Sequence, residues 1–353
     1  MIIRLFAAAI FAGTLCVECA AQKTKKKSSE PQRWDATLIQ VKSSADGTMQ
    51  PCWYWAPENA STVAVPLIVG LHTWSADYTQ LNHYQTVQKE AKRRGWAFVG
   101  PNFRGKNSTP AGCGSDLAVQ DIEDAVEHVK RSCKIDADRV YIIGGSGGGH
   151  MTLLMLGKKP GLFAAGSAFC PITDLARWHA DSLLKHPGRG KNYAYMMEKA
   201  CGGIPSEKAE EYSKRSPLTW LSAAKAAKTP AYIATGIHDG WTGSVPVGHA
   251  IRGFNALCEK GAEISEEHIA AIEANRSIPA GLETEKVSDP FYDAKRRIHF
   301  RRTSGNVRIT LFEGGHGGNF PAGFDFLSRQ RRGTPVDWKL PQKASGKVET
   351  LSR

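Results

Sequence analysis

The sequence predicts an α/β fold with a mostly parallel central sheet flanked by helices. Short apolar runs, as expected of strands buried on both faces, alternate with helical segments along most of the chain. Repeated strand–helix–strand units place their strands side by side in one parallel sheet. A chain of 353 residues, 41% of them hydrophobic, is long enough to bury such a core.

The predicted elements follow one another in a regular order. A leading hairpin comes first, with β-rich runs at 37–42 and 49–56 around a turn-rich break. The strands of the sheet are predicted at 66–71, 96–100, 140–144, 164–169, 231–235 and 307–312, and the helices at 80–94, 117–133, 147–156 and 320–331.

Two stretches interrupt this alternation and are predicted to be insertions. They run from about 175 to 227 and from about 262 to 304. The first contains helical runs rich in aromatic residues, so it is predicted either to cap a site or to form a satellite core cluster.

The ends of the chain differ in composition from the predicted α/β domain between them. Residues 1–21 have the basic start, short apolar run and small residues of a signal peptide, which predicts a secreted or periplasmic protein whose mature chain starts near Gln22. The apolar run is too short to span a membrane. Residues 22–35 are predicted to be a basic flexible arm, 36–330 the catalytic domain and 331–353 a basic tail.

The net charge of +12 is concentrated at these ends. Residues 22–35 carry a net +3 and residues 327–353 a net +5, so the core is nearly balanced. We therefore expect no nucleic-acid partner, and weak adhesion of the tails to an anionic wall or glycan is the minor alternative. The sequence does not predict the oligomeric state.

Six cysteines remain after removal of the signal peptide: Cys52, Cys113, Cys133, Cys170, Cys201 and Cys258. In an oxidising compartment they can form disulfides, although the sequence cannot choose among the 15 complete pairings that six cysteines allow, and buried free thiols are the alternative. The chain has no Cys-x-x-Cys pair and no His-Glu-x-x-His motif, so we predict no zinc site.

A serine flanked by glycines lies between a predicted strand and a predicted helix. Residues 144–149 read GGSGGG. A serine hydroxyl projects as a usable nucleophile when the backbone turns sharply from strand to helix, and small residues beside it avoid clashes. A phosphate-binding loop is disfavoured because no Gly-Lys-Ser/Thr follows and His150 breaks the dinucleotide motif. The sequence predicts Ser146 as a nucleophile, with a purely structural turn as the alternative.

A general base and a carboxylate are predicted in two later loops. His316 lies in the glycine loop EGGHGG after the strand at 307–312, whereas His299 lies among arginines that oppose a positive imidazolium. Asp239 directly follows the strand at 231–235; Asp289 and Asp293 in the second insertion are weaker candidates. The order Ser146, Asp239, His316 is that of the α/β-hydrolases.

An oxyanion hole requires two backbone N–H groups. Gly147, which follows the nucleophile, is predicted to supply one, and Thr73 or Trp74 in the loop HTWS after the strand at 66–71 the other. Further candidate residues that contact the substrate are Tyr78, Trp178 and Trp241.

The chain resembles the α/β-hydrolase superfamily, and within it the catalytic domain of the prolyl oligopeptidase family and related single-domain secreted esterases. The resemblance rests on RVYIIGGSGGGHM (139–151), GIHDGWTGSVP (236–246) and EGGHGG (313–318). It implies an α/β-hydrolase fold with Ser146, Asp239 and His316 as the catalytic triad and no cofactor. The family's oxyanion loop commonly reads HGGP, and its N-terminal propeller has no counterpart in 353 residues.

Three functions follow as hypotheses. The first is a secreted serine esterase acting on carboxylic esters, including acylated carbohydrates, through an acyl-enzyme. The second is a peptidase with the same residues acting on short peptides. The third is a catalytically silent binding module that uses the cleft between the insertions.

Overall fold

The computed structural model describes residues 34–185 and 193–341. The described part of the chain contains nine strands: β1 (Thr37–Lys42), β2 (Met49–Trp55), β3 (Val65–Leu71), β4 (Ala97–Pro101), β5 (Ile135–Gly145), β6 (Ala165–Phe169), β7 (Ala231–Gly236), β8 (Ile298–Ser304) and β9 (Val307–Phe312). They form one sheet in the order β1-β2-β4-β3-β5-β6-β7-β9-β8.

Ten α-helices lie in the same described ranges. They are α1 (Leu81–Arg94), α2 (Asp116–Ser132), α3 (Gly147–Lys158), α4 (Leu175–Lys185), α5 (Tyr193–Cys201), α6 (Ala209–Lys214), α7 (Leu221–Ala226), α8 (Val247–Leu257), α9 (Glu266–Asn275) and α10 (Phe320–Ser328). None of these described helices combines the length and the apolar character needed to cross a bilayer.

The central strands pair in parallel, and antiparallel strands lie at the two sides of the sheet. Strands β4, β3, β5, β6, β7 and β9 form the parallel part. The hairpin β1–β2 joins β4 antiparallel at one side, and β8 joins β9 antiparallel at the other. Every residue of β3, β4, β6, β7 and β9 is buried, and all of these strands consist mainly of apolar residues, although β9 also contains Arg308.

The predicted fold class is confirmed, and most of the predicted strands and helices lie within a few residues of their observed positions. The differences have local causes. Strand β5 starts at Ile135, five residues before the predicted start, because its first half is only partly buried and reads as polar. Helix α8 was not predicted, although its buried Val247, Ile251 and Phe254 have helical spacing.

The second predicted insertion contains part of the sheet. Residues 262–304 include α9 and the whole of the edge strand β8. The sequence of β8, IHFRRTS, did not indicate a strand. The first stretch, 175–227, contains the helices α4 to α7. The predicted signal peptide lies outside the described residues, as do all but the last two residues of the predicted arm and the end of the predicted tail from 342 onward.

One ion pair lies in the core beside the edge strand. The Arg301 and Asp289 side chains are 1% and 3% exposed, and Arg301 Nη2 donates to Asp289 Oδ2 at 2.8 Å. Arg301 Nε also donates to Thr310 Oγ1 at 2.9 Å, which connects β8 to β9. A buried charge is tolerated only with such a partner, so this pair holds the segment before β8 against the sheet.

We expect Asp289→Ala to destabilise the protein because it leaves the Arg301 charge buried and unpaired. The free energy of unfolding should fall by about 3 to 5 kcal/mol, measured by urea denaturation. Asp293→Ala is the control, because Asp293 only caps a short 3-10 turn at an exposed position. Equal losses in the two variants would contradict the assignment of a core role to this pair.

Candidate active site

Four loops meet at the carboxyl edge of the parallel sheet. Strands β5, β6, β7 and β9 are successive neighbours, and the loops that follow them carry Ser146, Cys170, Asp239 and His316. This edge, where the strands of an open parallel sheet end, is where ligands bind in such folds. Residues far apart in the sequence are therefore gathered into one region.

Ser146 lies in a strained turn between β5 and α3. Its φ of 59° and ψ of −120° are rare for a residue with a side chain. The Ser146 N–H donates to the Phe169 carbonyl at 2.8 Å, which holds the turn against the loop after β6. A Cβ at Gly144 would overlap the main chain of Gly148. Close packing between Gly144 and Gly148 therefore requires small residues on both sides of Ser146.

Asp239 is held as a buried hydrogen-bond acceptor. Its Oδ1 accepts from the N–H groups of Gly240 at 2.9 Å and Val245 at 3.3 Å. Its Oδ2 accepts from Thr235 Oγ1 at 3.3 Å and faces His316. The side chain is fully buried, so the carboxylate is fixed in direction by the loop around it.

His316 is hydrogen-bonded to Asp239, which precedes it by 77 residues in the sequence. Its Nδ1 lies 2.8 Å from Asp239 Oδ2 and its side chain is about a quarter exposed. An ionised carboxylate only accepts, so Nδ1 carries the proton and Nε2 keeps its lone pair for a base. Burial alone lowers the pKa of His316, but the hydrogen bond to Asp239 and the contact with the Cys170 thiol outweigh burial and raise it.

The loop that carries His316 extends back across the sheet toward the nucleophile turn. A Cβ added at Gly318 would lie 2.9 Å from the Phe169 ring, and the Phe169 carbonyl is the acceptor for the Ser146 N–H. The structure thus joins Asp239 to His316 directly and brings the His316 loop and the Ser146 turn to the same residue of β6.

Cys170 is a neighbour of the site that the sequence analysis did not single out. It directly follows β6, and its thiol donates to the Gly317 carbonyl at 3.2 Å. Its Sγ, a carboxylate oxygen of Asp239 and a ring nitrogen of His316 lie within 4.8 Å of one another. These are ligand types that bind zinc, but the Asp239–His316 hydrogen bond already occupies two of them. The position of Cys170 directly after a predicted strand was the feature of the sequence that could have indicated it.

Thr73 and Trp74 were both predicted as oxyanion donors, and they differ in whether the N–H group already donates a hydrogen bond. The Thr73 N–H donates to Gln80 Oε1 at 3.0 Å, so this predicted oxyanion donor already has a partner in the structure. Trp74 N lies so close to Gly147 that a Cβ there would overlap it. The Gly147 N–H is in the first turn of α3, where N–H groups have no partner within the helix. The Trp74 and Gly147 amides therefore lie side by side next to Ser146.

The three predicted substrate residues occupy different environments. Trp178 is wholly buried against Trp74, with ring centroids 4.7 Å apart, and its Nε1 donates to the Ser244 carbonyl at 2.8 Å. It is a core residue, contrary to the prediction that it contacts substrate. Tyr78 is half-buried in the turn before α1, where its N–H donates to Asn102 Oδ1 at 3.2 Å.

Trp241 is the exposed member of the three. It follows Asp239 by two residues and is 54% exposed. Its Nε1 donates to the Glu273 carbonyl at 2.7 Å, and the Arg276 guanidinium lies 4.2 Å from its ring centroid. The indole is thus held in place while part of its surface remains open.

The alternative candidates have structural partners. Asp289 pairs with Arg301 and Asp293 caps a 3-10 turn, so neither contacts His316. Glu313 bridges the loops: one carboxylate oxygen lies 2.6 Å from His238 Nε2 and the other 2.8 Å from His299 Nε2. Hydrogen bonds from His299 and then His238 lower the pKa of Glu313. Glu313 therefore connects β8 and the Asp239 loop to the loop that carries His316.

Comparison with known proteins identifies relatives of this site and fold. The sequence profile of the prolyl oligopeptidase family matches residues 82–274, more than half of the chain. Acylamino-acid-releasing enzyme 1 of Oryza sativa subsp. japonica is 26% identical over 188 residues, covering 48% of this chain and 22% of the rice protein. Feruloyl esterase B of Talaromyces funiculosus is 27% identical over 146 residues, covering 38% of this chain and 40% of the fungal protein.

The fold also matches a solved structure. The acylaminoacyl peptidase of Pyrococcus horikoshii superposes with a TM-score of 0.55 at 18% identity, covering 87% of this chain and 43% of that one. The chain spans less than half the length of each of these relatives. The family match covers more than half of the chain, and it agrees with the parallel sheet and the three loops described above, so the chain belongs to the prolyl oligopeptidase family.

Proposed function

We propose that this chain is a serine hydrolase that cleaves carboxylic esters, including acylated carbohydrates and esters of aromatic acids, with Ser146, His316 and Asp239 as its triad. The observation that carries the proposal is the 2.8 Å hydrogen bond between Asp239 and His316 at the sheet edge where Ser146 is held in a strained turn. This arrangement supplies the orienting carboxylate, the base and the nucleophile of acyl transfer.

The proposed reaction begins with proton transfer from the serine. His316 Nε2 removes the Ser146 hydroxyl proton as Oγ attacks the ester carbonyl carbon. The imidazolium that forms is stabilised by Asp239, whose negative charge is already bonded to Nδ1. The raised pKa of His316 reflects this stabilisation.

The N–H groups of Trp74 and Gly147 are the proposed donors to the tetrahedral oxyanion. Their close approach places two donors beside the nucleophile, where negative charge develops on the carbonyl oxygen. Collapse of the intermediate expels the alcohol, which takes the proton from His316 and leaves an acyl-Ser146. Water, activated by the same imidazole, then releases the acid.

Trp241 supports a substrate with a flat or ring-shaped group. Gly243, two residues further along the same loop, packs against both Asp239 and the Cβ of His316, so Trp241 lies on a loop that borders the base. An exposed indole held by Glu273 and Arg276 offers a stacking surface to an aromatic acid or a sugar ring. The named activity of the feruloyl esterase relative is in keeping with this substrate class.

Peptide cleavage is the second candidate function. Its support is that the rice relative and the Pyrococcus structure are named for the release of acylated amino acids. The same three residues suit amide cleavage, in which His316 must protonate an amine leaving group.

We expect Ser146→Ala to lower kcat for a chromogenic acetate ester by at least about 10⁴-fold, because the nucleophile is removed. A fluorophosphonate probe should label the unaltered chain at Ser146 and leave the variant unlabelled. Ser61→Ala, at an exposed serine of a short 3-10 helix, is the control and should keep full activity. An unaltered chain that is neither labelled nor active would favour the binding-module hypothesis.

The pH dependence of kcat/KM should reflect the hydrogen bond between Asp239 and His316. Because the base must be neutral and its pKa is raised, the rise of kcat/KM with pH should lie above the ordinary histidine value of about 6.5. Asp239→Asn removes the charge that favours the imidazolium, so the rise should move to lower pH while kcat falls about 10⁴-fold. A rise at the same pH in Asp239→Asn and in the control Asp293→Asn would contradict this assignment.

Trp241→Ala should raise KM for feruloyl or acylated-sugar esters about three- to tenfold, because a stacking surface is lost. Acetate esters with a small acyl group should be nearly unaffected. Trp338→Ala is the matched control, because this tryptophan bonds to the Gly305 carbonyl at the opposite edge of the sheet. Acylated peptides are assayed in parallel, and a higher kcat/KM for peptides than for every ester would replace the esterase proposal by the peptidase.

A further inference from the structure

Two of the six described cysteines contact each other. Cys113 and Cys201 belong to one buried cluster that also contains Trp74 and Trp178, and each thiol is near enough to the other to shift its pKa. They are 88 residues apart in the sequence and lie on different parts of the fold. Two neighbouring buried thiols can form a disulfide where the separations of their Cα and Cβ atoms fit its geometry.

The other four described cysteines have a different kind of partner. The thiols of Cys52, Cys133, Cys170 and Cys258 each donate to a backbone carbonyl, at 3.7, 3.6, 3.2 and 3.4 Å respectively. Three of these carbonyls lie within four residues of the cysteine itself. The contact between Cys113 and Cys201 is thus distinguished from these local thiol–carbonyl bonds.

Cys113 belongs to the loop that supports the oxyanion segment. Its N–H donates to Asn107 Oδ1 at 2.8 Å, and the Asn107 N–H donates to the Trp74 carbonyl at 3.0 Å. Cys201 is the last residue of α5 in the helical stretch between β6 and β7. A covalent bond between the two would connect that helix to the loop behind Trp74.

Arg215 lies beside both thiols. Its Nη1 donates to the carbonyl of Gly112 at 3.0 Å and contacts that of Cys113 at 3.4 Å, so its charge is held next to the pair. The hydrogen bond from Cys113 lowers the pKa of Cys201, with a further contribution from Arg215, whereas burial raises the pKa of Cys113. Cys201 is also the more accessible of the two, at 5% exposure against none.

We propose that Cys113 and Cys201 are the site of a disulfide bond that fastens α5 to the loop supporting Trp74. The oxidant is a disulfide reagent, such as oxidised glutathione. The Cys201 thiolate attacks it and releases one reduced glutathione, and the Cys113 thiolate then attacks the mixed disulfide at Cys201 and releases the second. Two protein thiols are oxidised, one glutathione disulfide is reduced, and the two thiol protons pass to the released glutathione thiolates.

The bond closes a long loop of the chain and therefore restricts the unfolded state. In the folded protein it holds the helical stretch between β6 and β7 against the loop that contacts Trp74. The effect is on stability and on the rigidity of this region, and it does not depend on which substrate the enzyme cleaves.

The test is a peptide map of the full-length chain after equilibration with oxidised glutathione. After alkylation of free thiols and tryptic digestion without reductant, peptides 107–130 and 200–208 should appear as one linked species. Dithiothreitol should separate them. Recovery of both peptides as separately alkylated species, or linkage of either one to another cysteine, would overturn the proposal.

A thermal measurement provides the second readout. Oxidation should raise the Tm of the unaltered chain by several degrees, and dithiothreitol should reverse the change. Cys201→Ser should lose this redox-dependent shift, whereas Cys258→Ser, at a buried cysteine bonded to the Asn255 carbonyl, should keep it. A shift that persists in Cys201→Ser would show that another pair is responsible. The peptide map of the unaltered chain decides the matter if a variant fails to fold.

Discussion

Parallel pairing of β5, β6, β7 and β9 is the constraint on which the candidate active site depends. Adjacent strands are about 4.8 Å apart, so the loops that follow them are neighbours whatever their distance in the sequence. Ser146, Cys170, Asp239 and His316 occupy four consecutive positions along this edge. The hydrogen bond between Asp239 and His316 then requires only that one loop fold back toward the next strand. Catalytic geometry in this protein is thus a consequence of strand order.

The sequence was most informative where one physical signal dominated. Strands buried on both faces appear as apolar runs, which made β3, β6, β7 and β9 readable. The turn around Ser146 was readable because few residues other than glycine fit next to it. The candidate base and carboxylate were predicted because each lies in the short loop after a core strand. In each of these cases the local sequence pattern and the position in the fold favour the same structure.

Features that depend on tertiary partners could not be read in this way. Strand β8 contains the buried Arg301, whose charge is paired with Asp289, and the local sequence of the strand does not indicate that pairing. Thr73 and Trp74 are adjacent, and only the position of the Gln80 side chain decides which amide is engaged. The burial of Trp178 and the contact between Cys113 and Cys201 likewise depend on how the helices between β6 and β7 pack.

The aromatic residues near the site illustrate the same distinction. Trp74 and Trp178 meet edge to face and are both buried, so they shape the wall behind the oxyanion segment. Trp241 belongs to the loop of the carboxylate and keeps much of its surface in solvent. Tryptophans near the site thus differ in burial: Trp74 and Trp178 belong to the packed interior, whereas Trp241 is open to solvent.

The carboxylate of Glu313 has a consequence for how this region tolerates change. It is shared by His238 and His299, which come from the loop after β7 and from the edge strand β8. Loss of Glu313 removes the hydrogen-bond partner of both histidine Nε2 atoms, and loss of either histidine leaves one carboxylate oxygen of Glu313 without that partner. We therefore expect Glu313, His238 and His299 to covary among close homologues, although His299 belongs to the edge strand β8.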